Sequence, residues 1–287
     1  MKTIKAMRIE HWLKNTIIFI PYFLAGNNDL PTLYNLIILF LGFSLVVSST
    51  YILNDIFDAE SDKYHPKKKY RPVASDSSSI QYWIKISVTL FITGIYIVNS
   101  INSKALILCL IYVLISIGYS VKLKYLKYFD LITITLLFLL RILLGGIPSS
   151  IFISSYLLFF IFFKSLELVT SKKLSILINQ NIHNSKVKSF LVKSYTQKYL
   201  ELIILVCIVG SCLTYLIWIF FAKFALISNL AVANLLISSI FLFIFDFKFF
   251  NETRKGNTED IFNLIKNNFS ILFSLSFFGI FCFLGIV

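Results

Sequence analysis

Nine apolar runs, each near the length that crosses a bilayer, constrain this chain more than any other feature of it. A helix rising ~1.5 Å per residue needs about 20 residues to traverse a ~30 Å hydrocarbon core. Runs of that order lie at about 9–26, 32–57, 80–99, 104–120, 129–147, 151–169, 199–221, 225–246 and 268–287. Composition points the same way. The 287 residues are 57% hydrophobic and 14% charged, with 30 Phe, whereas soluble domains carry about 25% charged residues. A water-soluble surface cannot be built from this inventory, and disordered, collagen-like and disulfide-scaffold chains are excluded with it. No strand-period pattern faces lipid, so each span is expected to be a helix that satisfies its own backbone groups. The expected fold class is all-α integral membrane: nine transmembrane helices in one bundle, with residues 1–287 a single domain. The basic start at Lys2, Lys5 and Arg8 is followed by no small-residue cleavage site, so no cleavable signal peptide is expected.

A net charge of +13 would suggest a nucleic-acid partner until the charges are placed. Across nine crossings, Lys and Arg gather at the N-terminus and in the loops after the second, fourth, sixth and eighth spans. With Lys14, in the polar start of the first span, counted with the N-terminus, only Lys104 and Lys223 fall in the opposite loops, and only Lys85, Arg141 and Lys164 fall within spans. Cytoplasmic loops attract basic residues. The chain is therefore expected in the cytoplasmic (inner) membrane, N-terminus inside and C-terminus outside. The inner loops are long, basic and polar while the outer ones are short, which directs the chemistry to the cytoplasmic face. Within 172–198, Leu174, Leu177, Ile178 and Ile182 recur at helical spacing, and that stretch reads as an interfacial amphipathic helix on anionic lipid.

The acidic residues are few and uneven. Asp55, Asp58 and Asp62 follow the second apolar run directly, in Asn54-Asp55-Ile56-Phe57-Asp58-Ala59-Glu60-Ser61-Asp62. Spacings of three and four put the three carboxylates on one helical face, and no resident cation partner is apparent among them. Like charges repel and partial burial adds a desolvation cost, which a divalent cation would remove. Hard oxygen ligands without His or Cys select Mg²⁺, which typically bridges carboxylates to substrate phosphates. Asp130 opens the fifth span on the same side, after Tyr119-Ser120-Val121-Lys122-Leu123-Lys124 closes the fourth. Lys122 and Lys124 read equally well as ordinary positive-inside signal. Arg141 lies three turns into the fifth span and Lys164 within the sixth. A guanidinium in a bundle needs an anionic partner or a wet cavity, with structural pairing the rival to ligand binding. Next to the carboxylates, His65-Pro66-Lys67-Lys68-Lys69-Tyr70-Arg71-Pro72 crowds cations into a proline-stiffened loop, which suits a multiply phosphorylated substrate.

Several chemistries find no residues here. His11, His65 and His183 have no metal spacing, and Cys109, Cys207, Cys212 and Cys282 sit in apolar spans as small core residues. Neither Gly-x-x-x-x-Gly-Lys nor Gly-x-Gly-x-x-Gly occurs, which removes phosphate-loop ATPases and Rossmann enzymes.

These motifs resemble the UbiA superfamily of intramembrane prenyltransferases over essentially the whole chain, and most of all its decaprenyl-phosphate phosphoribosyltransferase branch. Trp12-Leu13-Lys14-Asn15 resembles that branch's Gln-Trp-x-Lys-Asn, with His11 for Gln. Asn54-Asp55-x-x-Asp58-x-x-x-Asp62 matches the first aspartate motif, and the 65–72 loop resembles His-Pro-x-Lys-Arg-x-Arg-Pro. Tyr119-Ser120-x-x-Leu123-Lys124 with Asp130 resembles the second motif. Ile134 stands where aromatic prenyltransferases usually carry a further aspartate, which favours the phosphoribosyl branch.

The resemblance implies transfer of 5-phosphoribose from phosphoribosyl pyrophosphate (PRPP) to a polyprenyl phosphate of the decaprenyl type, in cell-envelope glycan precursor synthesis. It implies Mg²⁺ on Asp55, Asp58, Asp62 and Asp130 as the catalytic and metal set. Substrate binding would fall to Lys14, Asn15, Asn54, Lys68, Lys69, Arg71, Tyr119, Lys122, Lys124, Arg141 and Lys164. Of these, Lys68, Lys69, Arg71 and Lys124 suit PRPP phosphates, and Lys14, Arg141 or Lys164 the lipid phosphate. The alternative is the ordinary superfamily reaction, prenyl transfer from a prenyl diphosphate to an aromatic acceptor. A transporter is disfavoured because the carboxylates lie at one face rather than along a path.

Overall fold

The computed structural model describes residues 2–26, 29–64, 68–75, 80–148, 150–179, 190, 192–223 and 228–286. Among them every regular element is helical. The chain divides into two compact units, Met1–Thr133 with Leu139–Ile153, and Ile134–Phe138 with Ser154–Val287.

The first unit runs α1 (Lys2–Met7), a 3₁₀ segment (Ile9–Phe19), α2 (Ile20–Leu24), α3 (Leu30–Lys63), α4 (Pro72–Ser75), α5 (Ile80–Ile101), α6 (Ser103–Val121) and α7 (Phe129–Gly146). Residues 134–138 of α7 group with the second unit. The spine is α3, which packs along α5 and α6 and carries α1, the 3₁₀ segment and α4. Asp29 starts it, accepting from Thr32 N at 2.9 Å with Pro31 in the first turn. Hydrogen bonding to the Thr32 side chain and backbone holds the Asp29 carboxyl below its ordinary range. Close approach of α5 depends on Gly94, where a Cβ would stand 2.7 Å from both Gly42 O and Val46 Cγ2. At 34 residues α3 is longer than a ~30 Å core requires, so its acidic end reaches past the apolar stretch.

The N-terminal segment departs from the expected first span. Arg8 turns the chain out of α1 in the left-handed region (φ 52°), and the next 11 residues are 3₁₀ rather than α. Such runs rarely exceed 3–4 residues, and tertiary bonds hold this one. Trp12 Nε1 donates to Ser48 Oγ at 2.9 Å and Asn15 Nδ2 to Ser44 Oγ at 3.0 Å. Three residues at ~2.0 Å rise and four at ~1.5 Å both cover ~6 Å. The i,i+3 pair of the segment therefore meets the i,i+4 pair of α3 in reverse order.

The second unit contains α8 (Ser155–Ile178), α9 (Gln197–Trp218) with a π-helical end (Ile219–Lys223), α10 (Asn229–Arg254), α11 (Ile261–Asn267) and α12 (Phe269–Leu284). Helix α8 lies along α9 and α10 along α12. The end of α8 is tied to the turn after α10: Ser175 Oγ and Thr258 Oγ1 are 2.6 Å apart, and Asn179 Nδ2 donates to Gly256 O at 3.0 Å.

Among the described residues, six helices are long and apolar enough to cross a membrane, and seven if α11 and α12, bent by 94°, make one span. The expected sixth span, 151–169, lies instead at Ser155–Ile178, where Lys164, Glu167, Lys172 and Lys173 keep it out of that apolar set. Of the expected interfacial helix at 172–198, residues 172–178 simply continue α8. Leu174 is buried there and Lys173 nearly so, because the unit's own packing gives them a place. Residues 180–189 and 191 lie outside the described set.

Candidate active site

Asp55, Asp58 and Asp62 share the acidic end of α3, and Asp55 and Asp62 are 1% and 2% exposed. The expectation that they lack a cation partner is overturned. Arg8 Nη2 donates to Asp55 Oδ1 at 2.5 Å. Arg71 Nη1 donates to the same oxygen at 3.2 Å and to Asp62 Oδ2 at 2.7 Å. Lys124 Nζ donates to Asp58 Oδ1 at 2.7 Å, and Asn54 Nδ2 to Asp58 Oδ2 at 3.3 Å. Three cations from three separate segments thus answer three carboxylates on one helix face, offsetting like-charge repulsion and desolvation. Tertiary structure alone brings them together, which is why the aspartates' own stretch of sequence shows no partner.

Around this group, Tyr119 of α6 lies within electrostatic reach of Asp58 and Asp130, and Asp130 is fully buried in the first turn of α7. Lys122 and Lys14 are exposed. Lys69 is exposed over the Tyr70 ring at 5.1 Å. The backbone of Lys68 is in a 3₁₀ turn. His65, Pro66 and Lys67 lie outside the described residues.

Deeper in the first unit, Arg141 of α7 is 3% exposed. Its Nε donates to Asn15 Oδ1 at 3.0 Å and its Nη2 to Tyr112 Oη at 2.7 Å, with the guanidinium 5.0 Å from the Tyr112 ring centre. Since Asn15 also donates to Ser44, one amide links the 3₁₀ segment, α3 and α7. Gly145 fits beside the Ile18 carbonyl only because it has no Cβ. Lys164 belongs to the second unit, where it donates to Glu167 Oε2 at 2.9 Å and to Asp246 Oδ1.

Sequence reasoning missed Arg8, Tyr112, Ser44, Ser48, Glu167 and Asp246 as partners. Arg8 counted only as topology signal, and the two serines are polar atoms without pattern inside an apolar run. Glu167 carried a usable signal: an acidic residue at i+3 from a basic one within a span.

Among the described residues, no three acidic, His or Cys side chains converge closely enough to hold a metal ion by themselves. The donor chemistry nevertheless fits Mg²⁺ in its usual protein mode, with one or two carboxylate oxygens plus substrate phosphates. The aspartates and interleaved cations suit an ion arriving with a polyphosphate, not a dedicated cage.

This site sits on a fold seen before. A UbiA homologue from Archaeoglobus fulgidus, solved bound to DMAPP and Mg²⁺, superposes with a TM-score of 0.72 at 12% identity, over 98% of this chain and 99% of that one. A decaprenyl-phosphate phosphoribosyltransferase of Corynebacterium glutamicum is 26% identical over 220 residues, 75% of this chain and 66% of its own length. The protein y4nM of Sinorhizobium fredii is 33% identical over 165 residues, 56% of this chain and 32% of its own. The alignments thus span about two thirds and one third of these two relatives. The family model for the UbiA prenyltransferase family matches residues 16–271, taking in the aspartate helix, Arg71, Lys124 and Arg141. A match over that length, on a fold shared by nearly the whole chain, means that this multi-pass membrane protein belongs to the UbiA prenyltransferase family.

Proposed function

We propose that this protein transfers 5-phosphoribose from PRPP to a polyprenyl phosphate of the decaprenyl type, releasing pyrophosphate, for cell-envelope glycan synthesis at the cytoplasmic face of the inner membrane. The observation that carries the reading is the matched set of Arg8, Arg71 and Lys124 on Asp55, Asp58 and Asp62. A donor with phosphate at both ends needs cations as much as a metal, and these can exchange carboxylate oxygens for phosphate oxygens without leaving either charge bare. Relatives named as decaprenyl-phosphate phosphoribosyltransferases, at about a quarter identity, support the choice of donor.

In this reading a lipid phosphate oxygen attacks the anomeric carbon of PRPP, and pyrophosphate leaves with its bonding pair. Mg²⁺ held by Asp55, Asp58, Asp62 and Asp130 would stabilise the charge gathering on that leaving group. Arg71, Lys68, Lys69 and Lys124 hold the donor phosphates, Tyr119 and Asn54 line them, and Lys122 adds positive potential. The acceptor is an anion near neutral pH, so no strong general base is required. Arg141, with Asn15 and Lys14, receives the lipid phosphate. Lys164 suits that role less, since Glu167 and Asp246 already answer its charge with one negative charge to spare. The family model covers residues of both compact units, which supports treating 1–287 as one domain.

The test is direct. Membranes carrying the protein are incubated with Mg²⁺ and either labelled PRPP or a labelled prenyl diphosphate. Lipid-extractable label from PRPP alone is expected. Label from the prenyl diphosphate alone, moved onto an aromatic acceptor, would replace this reading with the ordinary prenyl transfer.

A further inference from the structure

The second unit buries a charged cluster that the proposed transfer does not use. Lys164 of α8 bonds Glu167 Oε2 at 2.9 Å and Asp246 Oδ1 of α10. Cys212 Sγ of α9 stands 3.9 Å from Asp246 Oδ2. Glu167 and Asp246 are 1% and 0% exposed. Among the described residues, Lys164 is the cation that acts on Glu167 and Asp246, so the cluster pairs two carboxylates with one ammonium. It is one positive charge short, in a medium where an unbalanced charge is costly.

A second observation is independent of that arithmetic. Glu167 Oε1, Thr170 Oγ1 and Ser171 Oγ are buried and have no hydrogen-bond partner among the described residues. Helical Ser and Thr commonly return their hydroxyl to the carbonyl one turn back. Ser165 does so to Ile161 O at 2.7 Å and Thr253 to Phe249 O at 2.8 Å, but Thr170 and Ser171 do not. Positions 167, 170 and 171 are i, i+3 and i+4, so the three open oxygens share one face of α8.

We propose that Glu167, Thr170 and Ser171, backed by Asp246, form a binding site for a monovalent alkali cation inside the second unit. The ligands are hard oxygens, as an alkali ion requires, and a single positive charge brings the cluster to neutrality. A divalent ion would leave an excess positive charge in a low-dielectric interior, and an anion would add to the negative one. A water molecule would satisfy the hydroxyls yet leave the charge unbalanced. This site is independent of the donor and acceptor assignments in the first unit.

The full-length protein, purified in detergent, is melted in choline, lithium, sodium or potassium chloride at constant ionic strength. A saturable rise in Tm is expected for at least one alkali cation over choline, as for any ligand bound only by the folded state. Glu167→Gln should abolish the rise. Thr170→Val, which keeps every charge, should move its midpoint to about tenfold higher salt, the worth of one lost ligand bond, and this variant carries the test if Glu167→Gln does not fold. Equal melting in all four chlorides overturns the proposal, leaving the missing charge to a proton or the space to water. So does an alkali response that survives both variants. A Mg²⁺ response lost in Glu167→Gln would make this a divalent site and equally overturn the monovalent assignment.

Discussion

Asp55 accepts from two guanidinium groups lying 47 and 16 residues away in sequence. Its chemistry is therefore set by groups that no local motif contains. Asp55→Asn or Asp58→Asn is expected to abolish turnover while the protein still inserts and folds, read by labelled-lipid formation and by Tm on one preparation. Tm should be lower for Asp55→Asn, because the buried Asp55 carboxylate answers Arg8 and Arg71. Near-wild-type turnover at saturating Mg²⁺ would remove these aspartates from the metal site. Arg71→Ala should raise the KM for PRPP more than that for lipid. The loss of one charge-assisted bond, ~1.5–3 kcal/mol, corresponds to roughly tenfold to hundredfold. A change confined to the lipid KM would move Arg71 to the acceptor side. Arg141→Gln should weaken lipid titration by a similar factor while PRPP binding survives. It should also lower Tm, because a neutral amide cannot bond Asn15 and Tyr112 as the guanidinium fork does. If lipid titration is unchanged and only Tm falls, Arg141 is a tie between helices, and Lys14 with Asn15 becomes the acceptor candidate. The aspartates and Arg71 were legible as a candidate site because their types and spacings are rare in an apolar chain, while Lys124 was singled out by the family resemblance. Arg8 was not, since one arginine in a basic N-terminus looks like topology signal.

Among the elements, those read best were helices whose apolar length alone decides their state. Helices α3, α5, α6 and α7 fall within a few residues of the expected spans, since hydrocarbon leaves a long apolar segment no other way to satisfy its backbone. The stretch at 9–26 was not legible because its conformation is set by Ser44 and Ser48 across the unit, not by its own residues. The α3–α5 approach gives a test at this scale. Gly94→Ala should lower the detergent Tm, since its Cβ would meet a backbone oxygen and overpacking costs about 1–3 kcal/mol. Gly279→Ala on α12, where a Cβ meets nothing within 4 Å, should leave Tm unchanged or raise it. Equal losses in both would mean that helix propensity, not packing, governs the response.

For the whole molecule, the proposed nine crossings put the N-terminus inside and the C-terminus outside, the side assigned by the placement of basic residues. Topology reporters fused at the two termini should respond on opposite faces of the membrane, and two reporters on the same face would require an even count and a revised path for 9–26 or for α11–α12. Taken alone, the sequence determined that the chain is helical and membrane-embedded, and its motifs showed which family it resembles. The first two properties follow from composition and run length, which hydrocarbon reads residue by residue, and the resemblance from the aspartate, 65–72 and Tyr119-Ser120 motifs. Only the tertiary structure decided which cation answers which carboxylate, that the N-terminal segment is 3₁₀, and that Lys164 is held between Glu167 and Asp246. Each of these depends on polar atoms far apart in the chain that are forced to pair once water is excluded, and in a low dielectric the partner that completes the pairing outweighs any local preference.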